Sequence, residues 1–116
     1  MTERQLREPT RLVLTALADA PRHGYAIIQE VLAISGGRTR LSTGTLYTAL
    51  DRLLQDGLIR IESEEVVDGR LRRTFALTGQ GQDLLAEEAR RLRLAAAEAE
   101  RRLGAAARLR PNGAGA

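Results

Sequence analysis

The sequence predicts a mainly α chain with a small β-hairpin, organised as a winged helix-turn-helix plus a long C-terminal dimerisation helix. Three observations predict it. Before Gly57, apolar residues recur at helical spacing in three stretches separated by Pro and Gly breaks. Two short runs that alternate apolar and polar residues follow, at 59–62 and 74–77. From Thr78 to about Arg108 the chain then carries no proline and an apolar repeat of seven residues. Three helices and a hairpin form the element order in which a third helix enters the DNA major groove and the wing lies along the backbone.

Each element has its own signals. Pro9 suits a first helical position, and Leu12, Val13, Ala16 and Leu17 make one helical face before the break at Ala20 and Pro21. After His23 and Gly24, Ile27, Ile28, Val31 and Leu32 share a side, and Gly36 with Gly37 ends that helix. Ser42 suits the N-cap of a third helix and Gly57 its left-handed end. Between them Leu46, Leu50, Leu53 and Leu54 gather on one side, with Gly44, Thr48, Arg52 and Gln55 opposite.

Ile59 and Ile61 alternate with Arg60 and Glu62, and Phe75 and Leu77 with Thr74 and Ala76, so both runs read as strands. A two-residue turn at Asp68 and Gly69 would pair Ile61 with Ala76 and put the apolar residues of the two strands on opposite faces, so that register is rejected. A three-residue loop of Val67, Asp68 and a left-handed Gly69 instead pairs Ile59 with Leu77 and Ile61 with Phe75. That loop is the expectation, and it sets Glu64 across from Arg72.

From Thr78, a cap, Leu85, Leu92, Ala99 and Ala106 repeat every seven residues, with Ala89, Ala96 and Leu103 between them. Only the first turns of so long a helix can pack on so small a body. Leu85, Ala89, Leu92, Ala96, Ala99 and Leu103 therefore form the expected seam of a homodimer. The predicted organisation is an N-terminal arm at 1–8, a winged helix-turn-helix at 9–77, the dimerisation helix at 78–108 and a disordered tail at 109–116.

Composition narrows the chemistry. The 116 residues suit one domain with an appendage. There is no Cys and one His, and carboxylates do not cluster outside charged helix faces, so no catalytic residue, metal site or cofactor is expected. No apolar stretch approaches the roughly 20 residues of a membrane span, and a cytoplasmic location is expected. All 18 basic residues are Arg, and the net charge is +3. An anionic partner must therefore be met by a local patch.

The start of the third helix offers one. Small residues there allow close approach, and its free N–H groups favour phosphate. Thr43, Thr45 and Thr48 can donate to phosphates or touch a thymine methyl, Gly44 leaves room, and Arg52 can fork onto guanine or phosphate. The same Ser and Thr residues also suit a plain helix cap. Tyr47 can pack its ring on the body and extend its hydroxyl to a phosphate. Arg38 and Arg40 either flank the DNA backbone or are solvated loop charges. In the wing, Arg70, Arg72 and Arg73 can neutralise DNA charge, against Glu62, Glu64, Glu65 and Asp68 in the same hairpin. Arg73 is the one least readily explained by a cross-strand acid.

With those residues placed, the chain resembles the PadR family of bacterial transcriptional regulators. The matching stretches are HGY at 23–25, LSTGTLYTALDRLLQDGLI at 41–59 and GRLRRTFALTGQG at 69–81, in the family's order and spacing. The single C-terminal helix is similar to that of the family's compact branch. The resemblance implies a homodimeric repressor reading an inverted repeat in double-stranded DNA. Recognition-helix roles would then fall to Thr43, Thr45, Tyr47 and Thr48, and wing roles to Arg72 and Arg73. Where the family often has Lys-Tyr-Tyr after the wing arginine, this chain has Arg73, Thr74 and Phe75. In HGY, Gly24 is expected to allow close helix packing, Tyr25 to fill an interface, and His23 to be a cap or a surface residue rather than a ligand. Some relatives release DNA when an aromatic molecule enters between the dimer helices, but the C-terminal helix here has no Trp, Tyr or Phe. No effector is assigned. The rival reading is a winged-helix protein-interaction module without DNA binding.

Overall fold

Pro9 lies in the first turn of α1 (Glu8–Ala16), where its missing N–H leaves no helical bond unmade. The computed structural model describes residues 6–109. Leu12, Val13, Ala16 and Leu17 are buried as the spacing predicts, and Leu14, outside that face, is fully buried too. Burial on more than one side marks α1 as a central helix.

His23 caps α2 (Gly24–Ile34), its Nδ1 accepting the Ala26 N–H at 3.3 Å. The helix ends where Gly36 and Gly37 take positive φ (65° and 83°). Buried Ser35 closes the turn by donating to the Leu32 carbonyl and accepting the Thr39 N–H at 2.9 Å. Ser42 caps α3 (Thr43–Gln55), and Gly57, with φ of 73°, follows its end as expected. Leu46 and Leu50 are fully buried, Leu53 nearly so and Leu54 half-buried.

The sheet departs from expectation in two ways. It has a third strand. Arg22 and His23 form β1 (Arg22–His23), antiparallel to Phe75 and Thr74, and the strand order is β1-β3-β2. Two residues give no alternation to read. The hairpin of β2 (Ile59–Val67) and β3 (Arg70–Leu77) also turns differently. Ile59 does pair with Leu77 and Ile61 with Phe75, but Val67 pairs with Arg70 across a two-residue turn rather than lying in a three-residue loop. Asp68 and Gly69 both have positive φ (51° and 77°), the geometry that matches strand twist in a tight hairpin. A bulge between Ile61 and Ser63 absorbs the odd residue. Glu64 consequently opposes Arg73, not Arg72, and Arg72 opposes Glu65.

Phe75 and Leu77, at the buried end of β3, join Leu58, Ile59 and the helix leucines in one core, and Ala76 between them is buried as well. Thr78 then caps α4 (Gly79–Leu109). Its Oγ1 accepts the Gly81 N–H at 3.0 Å and donates to the Gly57 carbonyl at 2.7 Å. Gly81 lies against the backbone of Leu58, where an added Cβ would overlap the carbonyl oxygen. Leu84 and Leu85 pack on the core. The first compact unit ends at Ala86 and the second begins at Glu87, within α4.

Of the expected N-terminal arm, residues 1–5 lie outside the described residues and Glu8 already opens α1. Of the expected tail, Leu109 closes α4 and residues 110–116 lie outside the described residues. Among the described residues no helix is long and apolar enough to cross a membrane.

Candidate nucleic-acid interface

Leu46 and Leu50, both without exposed surface, fix the start of α3 from behind and leave Thr43, Gly44, Thr45 and Thr48 outside. The Ser42 Oγ accepts the Thr45 N–H at 3.1 Å and donates to Thr45 Oγ1 at 2.9 Å. With Ser42 as the donor in that bond, the Thr45 hydroxyl keeps its own proton for another acceptor. Capping and an available donor thus coexist on neighbouring residues. An added Cβ at Gly44 would meet nothing within 4 Å, so this end of the helix is open to close approach.

Tyr47 is 43% exposed and lies over Gly24. A Cβ at position 24 would fall 2.6 Å from the tyrosine Oη and 3.2 Å from Cζ, so the absent side chain is what lets α2 and α3 close together there. Tyr25 fills no interface in this chain. It is 67% exposed, with its hydroxyl accepting from Gln29 Nε2 at 3.1 Å.

An open groove of about 500 Å³ runs between these helix starts and the wing, with His23, Tyr25 and Tyr47 on one wall and Arg70, Arg72 and Arg73 on the other. Because His23 Nδ1 accepts a backbone N–H, the neutral ring carries its proton on Nε2. The Arg73 Nε donates to Glu64 Oε2 at 2.6 Å, so the arginine expected to lack a cross-strand acid has one. Both partners are about half exposed, and such a pair contributes at most about 1 kcal/mol. A phosphate could therefore displace the carboxylate. Among the described residues Arg70 and Arg72 pair with no carboxylate, and Arg60 pairs with Glu62.

Arg52 faces the other way. With Gly44 and Thr48 it forms a row at four-residue spacing along α3, bordering a second open cleft of about 730 Å³ whose far wall is the start of α1. Helix α3 thus separates two clefts, and the wing lines only one. Arg38 donates its Nε to the Ser35 carbonyl at 3.1 Å and so supports the end of α2, while Arg40 and Asp51 are exposed.

Residues 13–87 match the sequence profile of the transcriptional regulator PadR-like family. The chain belongs to that family. It is 41% identical to the transcriptional regulator Rv3488 of Mycobacterium tuberculosis over 69% of this chain and 71% of that one. It is 49% identical to an uncharacterized protein in transposon TN4556 of Streptomyces fradiae over 67% of its own length, but that match spans only 21% of the relative. In three dimensions it superposes on Bacillus subtilis PadR, solved in complex with operator DNA, with a TM-score of 0.62 at 20% identity. That alignment covers 70% of this chain and 47% of that one. The fold is therefore the PadR winged helix, and the chain is a PadR-family transcriptional regulator rather than an enzyme.

In this PadR-like protein Leu85 is half-buried on the core, whereas Ala89, Leu92, Ala96, Ala99 and Leu103 are exposed along one side of α4. Leu92 and Leu103 are 38% and 69% exposed. The ion pairs of α4 sit off that line. Glu88 bonds Arg91 through both oxygens, and Glu98 bonds Arg101 and Arg102 at 2.7 and 2.6 Å. Arg101 and then Arg102 hold the Glu98 carboxyl below the usual carboxylate range. Among the described residues no three His, Asp or Glu side chains could hold a metal ion.

The wing groove is what sequence reasoning placed least well. Its arginines were legible, but His23 and Tyr25 join them only through folding. The available signal was their adjacency to Gly24, where a missing side chain marks a close approach.

Proposed function

We propose that this PadR-family regulator is a homodimeric repressor that binds an inverted-repeat operator in double-stranded DNA. The start of α3 enters the major groove, and the wing follows the backbone. The observation that carries the reading is the exposed set Thr43, Gly44, Thr45, Tyr47 and Thr48, held on fully buried Leu46 and Leu50 beside a groove bearing three wing arginines. Hydroxyls and a glycine permit close approach to base edges, while Arg70, Arg72 and Arg73 supply phosphate contacts. Its relation by fold to a PadR solved in complex with operator DNA supports DNA as the partner.

The exposed apolar line of α4, through Ala89, Leu92, Ala96, Ala99 and Leu103, supports pairing with a second copy. Two recognition helices related by a two-fold axis read a site with the same symmetry. Such a protein acts on chromosomal DNA in the cytoplasm and needs no cofactor for binding. No small-molecule effector is assigned.

The test is binding to a fragment of the promoter of its own gene across a range of salt, with transcription from that promoter measured beside it. Binding that weakens steeply with salt, together with lower transcription, is expected. Equal, negligible binding to every promoter fragment would leave the protein-interaction reading, to which the paired Glu64 and Arg73 in the wing lend some support.

A further inference from the structure

We propose that the DNA interface continues across α3 onto the start of α1. There Arg7 and Thr10, facing Arg52, hold phosphates on the side of the recognition helix away from the wing. The inference rests on α3 entering the major groove and adds a second arm to that interface.

The cleft of about 730 Å³ has Arg7, Pro9 and Thr10 on one wall and Gly44, Thr45, Thr48 and Arg52 on the other. Among the described residues, two guanidiniums and three threonine hydroxyls line it and no carboxylate does. The nearest described acids already have interactions of their own. Glu8 turns to Arg11 at 3.3 Å. Asp56 lies in an adjoining hollow of about 200 Å³ that Arg7 and Arg52 also border, and it has an interaction of its own. Arg7 is exposed and, among the described residues, joins no ion pair.

Geometry favours a strand of phosphates as the occupant. The major groove is about 12 Å wide and a helix with its side chains measures about 10 to 12 Å across, so an inserted helix meets a sugar-phosphate strand on each flank. On one flank the wing arginines are waiting. On the other, the first described structure reached is α1, and the residues it offers are an exposed arginine and a hydroxyl. The cleft is open along its length, which suits a passing strand better than an enclosed small molecule.

The Arg7 side chain makes no capping bond to α1, so replacing it leaves the helix start unchanged. The probe is a DNA duplex selected from random-sequence pools by the wild-type full chain. Arg7→Gln should preserve the preferred sequence but flatten the slope of log affinity against log salt by about 0.9, the contribution of one phosphate contact. Thr10→Val should weaken binding without changing that slope. Arg108→Gln, which removes the same charge from the last turn of α4, is the control. Ethylation interference should lose its signal at phosphates on the flank away from the wing in Arg7→Gln alone.

A slope for Arg7→Gln equal to that of Arg108→Gln, with wild-type binding intact and melting temperatures unchanged, overturns the second arm and leaves the DNA-binding reading standing. Wild-type protein that selects no sequence at all removes the reading itself, and the second arm with it.

Discussion

Replacing Gly24 with alanine tests whether Tyr47 is held in place by the absence of a side chain. The new Cβ would lie 2.6 Å from the tyrosine Oη and 3.2 Å from Cζ. Forced overpacking in a rigid core costs about 1 to 3 kcal/mol. Tyr47, however, is 43% exposed and can swing outward. Alanine in place of glycine in a helix also returns up to about 1 kcal/mol. Stability should therefore change by less than about 1 kcal/mol in denaturant titration. Affinity for operator DNA should fall, because a displaced hydroxyl no longer reaches its phosphate. A hydrogen bond to a charged group contributes about 1.5 to 3 kcal/mol, or roughly a tenfold to hundredfold weaker complex by fluorescence anisotropy. Tyr47→Phe should lose a similar amount with the ring still in place, and the double variant should lose little more than either alone. Wild-type affinity in Gly24→Ala, or fully additive losses in the double variant, would refute this account of the tyrosine.

Three further outcomes follow from the same geometry. Leu92→Glu places a charge in the exposed seam of α4 and should give monomers in sedimentation velocity, and an unchanged dimer would move the interface elsewhere. Arg72→Gln should flatten the salt dependence of DNA binding by about 0.9 in log-log slope, while Arg73→Gln should change it by less, because Arg73 already has Glu64 at 2.6 Å. Equal slopes would mean that the carboxylate is fully displaced on binding. Gly81→Ala should destabilise the fold by about 1 to 3 kcal/mol in urea, since the obstructing atoms are the Leu58 backbone, which cannot rotate away.

The three helices were legible because each announces its ends chemically and its buried side by spacing. Ser42 and Thr78 cap as their positions suggest, and so does His23. The hairpin shows where local reading stops. The apolar runs differ in parity from the Asp68-Gly69 turn, and one extra residue has to be placed somewhere. A longer loop and a bulge satisfy the alternation equally well. Asp68 and Gly69 both adopt positive φ, so the tight turn wins and the extra residue goes into the strand. That choice moved Glu64 from Arg72 to Arg73 and changed which wing arginines are free. Strand β1 was invisible for a simpler reason, since its two residues are recruited by the edge of β3 and not by any pattern of their own. In the candidate interface, the α3 residues could be read from one helical face. The pairing of His23 and Tyr25 with the wing depends on contacts between distant parts of the chain.

The hydroxyl of Thr78 touches the carbonyl just past the end of α3 and the amide that begins α4. It ties the end of α3 to the first turn of α4. In the homodimer proposed above, a change of tilt at the first turn of α4 would press on this oxygen, on the Gly81–Leu58 contact and on Leu84 and Leu85 together, and so reach the foot of α3.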